Sequence, residues 1–408
     1  MDHQKLTAMI IAAFVAVAPS LAATTQPIKV GLLADIQGEF GVVGNALLHG
    51  TQLAIEEINE RGGVLGRPLE LIHLDPNMDI SRYREFARRL ASDEKVDLMM
   101  GGILSAQREA VRSVVDSSDV MYMYTNVYEG GVCDASMIGV GPVPEQQLST
   151  LVPWMIEKFG KKVYTIAIEN NFGKNSAAWT RDLVAKQGGE IVGQEFFPIG
   201  SSQFGPTIER IQQAKPNWLM ALNAGASQDA FFQQAADSKL RLPMASSFKI
   251  MLTYDHRRLP PPLLDGMHVT ASWVEELDTP AANAFKMRWR TRYPDETYIS
   301  TMGYNAYSAV YLYSGLVGRA RSTEKVDLRN VIAFGDACID APAGKMCIDP
   351  KGQHTVQEIR LFEVKNDHSL REVKDFGMIR PYWLSEMGCD LIKEDPKTQY
   401  MLINAPKR

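Results

Sequence analysis

The sequence predicts an α/β fold made of two similar blocks, and three observations support this prediction. Short apolar strands alternate with helical stretches from residue 28 to residue 124, and the same alternation restarts near residue 145. The chain has 408 residues, enough for two or three domains of ordinary size. Apolar residues make up 45% and charged residues 22%, as in a soluble globular protein. This composition excludes a disordered chain and a polytopic membrane protein.

The N-terminal 22 residues have the three parts of a secretory signal peptide. Lys5 supplies the positive charge, an apolar run covers residues 8–18, and small residues lead to Ala22. The apolar run is shorter than the roughly 20 residues that a membrane-spanning helix needs. We therefore predict cleavage near Ala22 and export of the mature chain to a compartment where thiols oxidise.

In the first block, each strand is a short apolar run and each helix has apolar residues at helical spacing. The first helix carries Leu47, Thr51 and Ile58 on one face, and Gly62 ends it. Strands are predicted at residues 28–34, 69–75, 96–101 and 120–124, and further helices at residues 82–92 and from residue 105 onward. Because each helix returns the chain across a sheet face, the sheet is expected to be parallel.

The second block repeats this order after a loop at residues 142–144. Helices are predicted at residues 145–158, 176–187, 204–213 and 227–238, and strands at residues 162–168, 190–196, 217–222 and 243–246. Beyond residue 269 the pattern predicts helices at residues 281–292 and 302–319, then a β-rich stretch at residues 344–348 and 356–364. The proline-containing end of the chain is expected to wrap around the fold rather than form a domain.

No motif of a known catalytic centre is present. The sequence lacks G-x-S-x-G, H-E-x-x-H and the Walker loop, and its seven histidines form no spaced metal pair. A net charge of −5 argues against a nucleic-acid partner. We therefore predict no enzymatic activity, no metal and no cofactor. A secreted hydrolase with a scattered catalytic triad stays open as an alternative.

Polar residues follow several predicted strands at their carboxyl ends, which is where open α/β sheets bind ligands. Ser105 begins a helix directly after one strand, and Tyr124 and Asn126 lie at the end of the next. In the second block, residues 169–173 and Asn223 hold equivalent positions. Two blocks that present polar and aromatic groups in this way predict a ligand cleft between two lobes. A plain helix N-cap is the alternative role for Ser105.

Several segments, in their order along the chain, resemble the Leu/Ile/Val-binding family of periplasmic solute-binding proteins. The resemblance rests on residues 28–33, 58–69 (INERGGVLGRPL), 128–130, 273–280, 341–346 and 348–350. The last four segments are similar to the branch of the family that binds short amides and urea. The resemblance covers nearly the whole mature chain.

This resemblance implies the type I periplasmic binding protein fold, in which two Rossmann-like lobes are joined by a three-segment hinge. Together with the repeated strand–helix pattern, it assigns the lobes, the tail and the crossovers. Lobe 1 comprises residues 27–143 and 273–354, lobe 2 comprises residues 144–272 and 355–380, residues 381–408 form a C-terminal tail, and the crossovers lie near residues 142–146, 268–274 and 352–358. The implied protein is a periplasmic monomer that binds a small-molecule ligand and delivers it to the membrane permease of an ABC importer.

The resemblance and the strand-end positions together give a set of ligand-binding residues. They are Ser105, Tyr124 and Asn126 in lobe 1, and Asn170, Phe172, Asn223 and Ser246 in lobe 2. The family usually has tyrosine at the position of Asn170 or Phe172. Residues 245–249 also lack the acid that holds the ligand ammonium in amino-acid binders.

These departures favour a short amide, urea or a similar small polar solute. An anion held by a helix N-terminus and Lys249 fits the same residues. Glu129, Glu169 and Asp229 lie near strand ends and would favour an amino acid if one of them faced the cleft. Two further alternatives are a binder of branched-chain or other amino acids and a ligand sensor that regulates a signalling partner.

The four cysteines are expected to be oxidised after export. Cys338 and Cys347 flank a turn at residues 341–344 and are predicted to form a disulfide. Cys133 and Cys389 are left over, and a bond between them rests on elimination alone.

Overall fold

Lobe 1 is built on a five-stranded parallel sheet. The computed structural model describes residues 26–223, 225–247 and 252–404. The first strands and helices are β1 (Ile28–Leu33), α1 (Gly41–Glu60), β2 (Leu69–Leu74), α2 (Ile80–Ser92), β3 (Leu98–Gly101), α3 (Ser105–Val115), β4 (Met121–Tyr124), β5 (Val132–Cys133) and β6 (Met137–Gly139). The strand order in the sheet is β2-β1-β3-β4-β6, and every pairing is parallel. β3 and β4 are buried along their whole length, as expected for strands covered by helices on both faces.

A second sheet forms lobe 2, and its first five strands are also parallel. The elements are α4 (Pro144–Gln147), α5 (Leu151–Phe159), β7 (Lys162–Ile168), α6 (Asn171–Lys186), β8 (Glu190–Phe197), α7 (Gly205–Ala214), β9 (Trp218–Leu222), α8 (Ala226–Asp237), β10 (Met244–Ser246), α9 (Asp255–Arg258) and β11 (Met267–Ala271). In the sheet these strands follow the order β8-β7-β9-β10-β11. The restarted alternation predicted from the sequence is therefore confirmed.

Three helices and four antiparallel strands complete the two lobes. They are α10 (Pro280–Arg292), α11 (Thr301–Ala320), α12 (Lys325–Ala333), β12 (Cys338–Ala341), β13 (Gly344–Ile348), β14 (Thr355–Val364) and β15 (Leu370–Ile379). α11 packs on α1 of lobe 1, and a Cβ at Gly50 would lie only 2.2 Å from the carbonyl oxygen of Gly303. Residues 338–348, which the sequence analysis groups with lobe 1, are hydrogen-bonded through β13 to β14, and β14 pairs with β11 of the second sheet.

Side chain–main chain hydrogen bonds join the three segments predicted as the hinge. The Thr355 hydroxyl donates to the carbonyl oxygen of Val140 at 2.8 Å, and the Gln146 amide donates to that of Thr355 at 2.8 Å. The Thr270 hydroxyl donates to the carbonyl oxygen of Gln147 at 2.8 Å. These bonds connect the three segments to one another.

The C-terminal tail runs back over both lobes. Its elements are α13 (Trp383–Glu386), β16 (Thr398–Gln399) and a 3-10 turn (Leu402–Asn404). β16 pairs with β5 of lobe 1, and Cys389 is disulfide-bonded to Cys133. The backbone N–H of Ile403 donates to Asn175 Oδ1 on α6 of lobe 2 at 3.3 Å. The tail is therefore attached to both lobes.

Both cysteine pairs named in the sequence analysis are bonded. Cys338 lies directly opposite Cys347 in the β12–β13 pair, and their disulfide closes the hairpin. Within the described ranges, no helix combines the length and apolar character needed to cross a bilayer. The predicted signal peptide, residues 1–22, lies outside the described residues.

Candidate ligand-binding cleft

A small cavity lies between the lobes at the carboxyl ends of the strands. Its described lining consists of Phe40, Val43, Ile103 and Asn126 from lobe 1 and Gly225, Gln228, Leu252 and Thr253 from lobe 2. Its volume is about 20 Å³, room for about one water molecule. The N–H of Ala226 in lobe 2 donates to Glu39 Oε1 of lobe 1 at 3.3 Å. This bond joins the two lobes at the edge of the cavity.

A tight turn brings lobe 1 residues to this cavity. Gly101 has a φ of +119°, and a Cβ there would lie 2.0 Å from the carbonyl oxygen of Leu33. Glycine alone tolerates both the conformation and the close approach. The turn places Ile103 in the cavity wall and Ser105 at the start of α3.

Tyr124 and Asn126 both donate to the carbonyl oxygen of Ile103. The Tyr124 hydroxyl does so at 2.8 Å and Asn126 Nδ2 at 2.6 Å. Asn126 Oδ1 is buried and has no hydrogen-bond partner among the described residues. Tyr124 and Asn126 therefore both hold the turn, and Asn126 Oδ1 remains without a partner in the described ranges.

Ser105 faces a carboxylate of the protein itself. Its hydroxyl donates to Glu129 Oε2 at 2.9 Å, and Arg108 Nη2 lies 2.8 Å from Glu129 Oε1. The side chains of Arg108 and Glu129 are fully buried. Burial alone would raise the pKa of Glu129, but the charge and hydrogen bond of Arg108 hold this pKa below its ordinary value. An ionised carboxylate therefore already lies beside the first residue of α3.

Three predicted residues of lobe 2 have bonds or packing within the lobe. Asn170 caps α6, because its Oδ1 accepts from the N–H of Gly173 at 2.9 Å. The Ser246 hydroxyl donates to the carbonyl oxygen of Ala221 at 2.9 Å, and Phe172 is buried in the apolar core. None of the three is among the described residues that line the cavity.

Asn223 and Ser247 carry unpaired polar atoms at the ends of β9 and β10. Asn223 Nδ2 and Oδ1 and Ser247 Oγ are buried without a hydrogen-bond partner among the described residues. Leaving a buried polar group unpaired costs roughly 1–3 kcal/mol. Neither residue is among the described lining of the cavity.

Two residues near the cavity were not selected by the sequence analysis. Gln228 lines the cavity, and its Nε2 donates to Asp255 Oδ2 on α9. Arg258 Nη2 lies 2.5 Å from Asp255 Oδ1. Burial raises the pKa of Asp255 to about 6. Gln228 follows the end of β9 by six positions, a signal that could have identified it, but nothing in the sequence distinguishes Asp255 from a surface acid.

The three acids that could have favoured an amino acid are paired elsewhere. Glu129 binds Arg108, Glu169 lies 3.5 Å from Lys174, and Asp229 lies 2.6 Å from Arg258. The described lining of the cavity contains only neutral side chains.

Comparison with known proteins identifies the family. Residues 27–369 match the sequence profile of periplasmic binding proteins. The chain belongs to the periplasmic binding protein family. This binding protein is 21% identical over 352 residues to Leu/Ile/Val-binding protein homolog 6 of Brucella abortus (strain 2308), with 84% of this chain and 89% of that protein covered.

Solved structures share the same fold. A solute-binding protein of an ABC transporter from Rhodopseudomonas palustris BisB5, in complex with 3,4-dihydroxybenzoic acid, matches with a TM-score of 0.77 and 18% identity, over 87% of this chain and 98% of that one. A branched-chain amino acid ABC transporter ligand-binding protein from Burkholderia xenovorans LB400 matches with a TM-score of 0.75 and 19% identity, over 86% and 95%. The type I periplasmic binding protein fold is confirmed.

Family membership also bears on the predicted lack of activity and on the predicted compartment. Periplasmic binding proteins bind solutes and are not enzymes, so the prediction of no enzymatic activity is confirmed. The family acts in the periplasm, in agreement with the predicted export.

Proposed function

We propose that this binding protein is the substrate-binding component of an ABC importer and captures a small uncharged polar solute, such as a short amide or urea. The observation that carries the proposal is the neutral described lining of the cavity. The hydrogen bond from Ser105 to Glu129 supports it, because the serine hydroxyl at the start of α3, two residues beyond Ile103 of the lining, already binds a carboxylate of the protein.

A ligand carboxylate would find poor partners in this cleft. Helix N-termini favour anions, but the hydroxyl at the first turn of α3 already binds Glu129. Arg108, the nearest buried cation to Ser105 in this network, is neutralised by the same carboxylate. A second carboxylate next to Glu129 would add like-charge repulsion in a buried environment.

A ligand ammonium would meet one carboxylate near the cavity, that of Glu39, whose Oε1 already accepts from the N–H of Ala226. The described lining itself has no acidic side chain, and an unpaired buried charge is costly. A neutral amide or urea fits better, because it donates and accepts hydrogen bonds without carrying charge. Asn126 and Gln228 would bind it from opposite lobes, and closure of the lobes would then exclude water.

An amino-acid binder of the same family is the second candidate. The chain's relatives are named Leu/Ile/Val-binding protein homologs, and the buried acid Asp255 lies one hydrogen bond behind the cavity. The predicted signal peptide argues against the cytoplasmic sensors that share this fold.

Recovery of a bound solute from a mixed metabolite pool tests the proposal. The purified mature chain is incubated with amides, urea, amino acids and aromatic acids, separated from the pool, and denatured to release what it holds. We expect one small neutral solute, recovered chemically unchanged. A new product in the pool would show an enzyme. Recovery of only a carboxylate or an amino acid would contradict the uncharged solute.

A further inference from the structure

Two amide side chains line the cavity from opposite lobes, and the bonds that they make fix their orientation. Asn126 Nδ2 lies 2.6 Å from the carbonyl oxygen of Ile103. Gln228 Nε2 binds Asp255 Oδ2. A carbonyl or a carboxylate oxygen can only accept, so each amide must direct its NH₂ group there. The carbonyl oxygens Asn126 Oδ1 and Gln228 Oε1 are what these residues can offer to a solute.

Asn126 Oδ1 is a buried acceptor in apolar surroundings. The residue is 2% exposed, and its Oδ1 has no partner within the described ranges. The neighbouring walls are the apolar side chains of Phe40, Ile103 and Leu252. These three side chains supply no donor, so Asn126 Oδ1 is free to accept a hydrogen bond from a solute.

Asp255 holds Gln228 in its orientation. The Asp255 side chain is fully buried, and Arg258 Nη2 binds its other oxygen at 2.5 Å. If the Gln228 amide turned over, its carbonyl oxygen would face a carboxylate oxygen and a charge-assisted bond would be lost. Asp255 therefore acts on the cleft through Gln228 without lining it.

We propose that Asn126 and Gln228 form an acceptor pair that selects solutes carrying N–H or O–H donors on two sides, with Asp255 as the positioning residue that sets the polarity of Gln228. The inference rests on the proposed function, because it uses the same cleft. The inference concerns only the hydrogen-bond donors of the solute. An amide, an ammonium or a hydroxyl group can each supply such a donor.

Binding of matched probes to an Asp255→Asn variant tests this inference. The probe pairs are acetamide with N,N-dimethylacetamide, and leucine with 4-methylpentanoate, so that each pair differs in its N–H donors. An asparagine at position 255 can present either an N–H or a carbonyl oxygen, which allows the Gln228 amide to turn over. One hydrogen bond corresponds to about a threefold to tenfold change in affinity. We therefore expect the affinity ratio of the donor probe to the donor-free probe to fall about threefold to tenfold.

Asp229→Asn is the matched control. Asp229 also pairs with Arg258, at 2.6 Å, but makes no bond to Gln228 among the described residues. Its probe ratio should equal that of the wild type. Gln228→Met removes the acceptor itself while keeping the length of the side chain, and it gives the same test if the Asp255 variant does not fold.

The outcomes separate this inference from the proposed function. Suppose that leucine binds and acetamide does not, so that the proposal of an uncharged solute is wrong. Donor selection still stands if the ratio of the affinity for leucine to that for 4-methylpentanoate falls in Asp255→Asn but not in Asp229→Asn. Unchanged ratios in folded Asp255→Asn or Gln228→Met protein would overturn donor selection. Tight binding of benzoate that is insensitive to Gln228→Met would overturn it too.

Discussion

The Ser105 hydroxyl donates a hydrogen bond of 2.9 Å to Glu129 Oε2 inside lobe 1. A serine that follows a strand and opens a helix is a common place for a ligand anion. Here the anion is part of the chain. Gln399 of the C-terminal tail also donates to Glu129, at 3.1 Å, so this carboxylate connects the tail to the start of α3.

Replacing Arg108 alone should destabilise the fold strongly, because Glu129 would then be a buried, unpaired carboxylate. Removing one partner of a buried ion pair typically costs about 3–5 kcal/mol. We expect chemical denaturation of Arg108→Met to show a loss of this size. The double variant Arg108→Met/Glu129→Leu should recover much of the loss, since neither charge remains. Equal losses in the single and double variants would contradict the role of the pair.

The two disulfides should contribute unequally to stability. Cys133 and Cys389 are 256 residues apart, whereas Cys338 and Cys347 are 9 residues apart. The chain-entropy model gives about 5 kcal/mol for the longer loop and about 2–3 kcal/mol for the shorter one. Paired Cys→Ser variants of each bond should show this order in their free energies of unfolding. A larger loss from the Cys338–Cys347 pair would contradict the view that the tail is held by its long-range disulfide.

Glu145 should make the fold less stable as pH rises. Its Oε1 accepts from the N–H of Trp383 at 3.0 Å, and burial raises its pKa from 4.5 to about 7. Between these values the folded state binds more protons than the unfolded state, so the free energy of unfolding falls as pH increases through this window.

The check is a comparison of urea unfolding for the wild type and Glu145→Gln between pH 4.5 and pH 7, the window set by the pKa shift. The variant cannot titrate at this position, so its stability should fall less across the window. His354, whose pKa burial lowers to about 4, changes stability in the opposite direction and is common to both proteins. Parallel curves for the two proteins would show that Glu145 does not titrate as described.

The strand–helix order could be predicted from the sequence because parallel strands are continuous apolar runs. The start of α6 could not. The sequence predicted it near residue 176, but it begins at Asn171. The sequence around Asn170 and Gly173 was interpreted as a loop before the helix. In the structure, the hydrogen bond from the Gly173 N–H to Asn170 Oδ1 caps the first turn of α6. Local composition indicates a helix end only to within a few residues.

One residue of the cavity lining was singled out from the sequence. Asn126 lines the cavity, and its strand-end position was visible in the sequence. Asp255 was missed because the segment Asp-His-Arg-Arg of α9 looks like a charged surface turn. Asp255 is buried because it bonds to Gln228 and Arg258, which lie 27 and 3 residues away along the chain. Only the tertiary structure brings this acid behind the cleft.

Calorimetric titration of the mature protein with acetamide, urea, leucine and benzoate tests the central claim most directly. The neutral lining of the cavity and the pairing of Glu129 with Ser105 and Arg108 predict saturable binding of acetamide or urea, with leucine and benzoate much weaker. Tight binding of leucine or benzoate, with no heat from either amide, would contradict it.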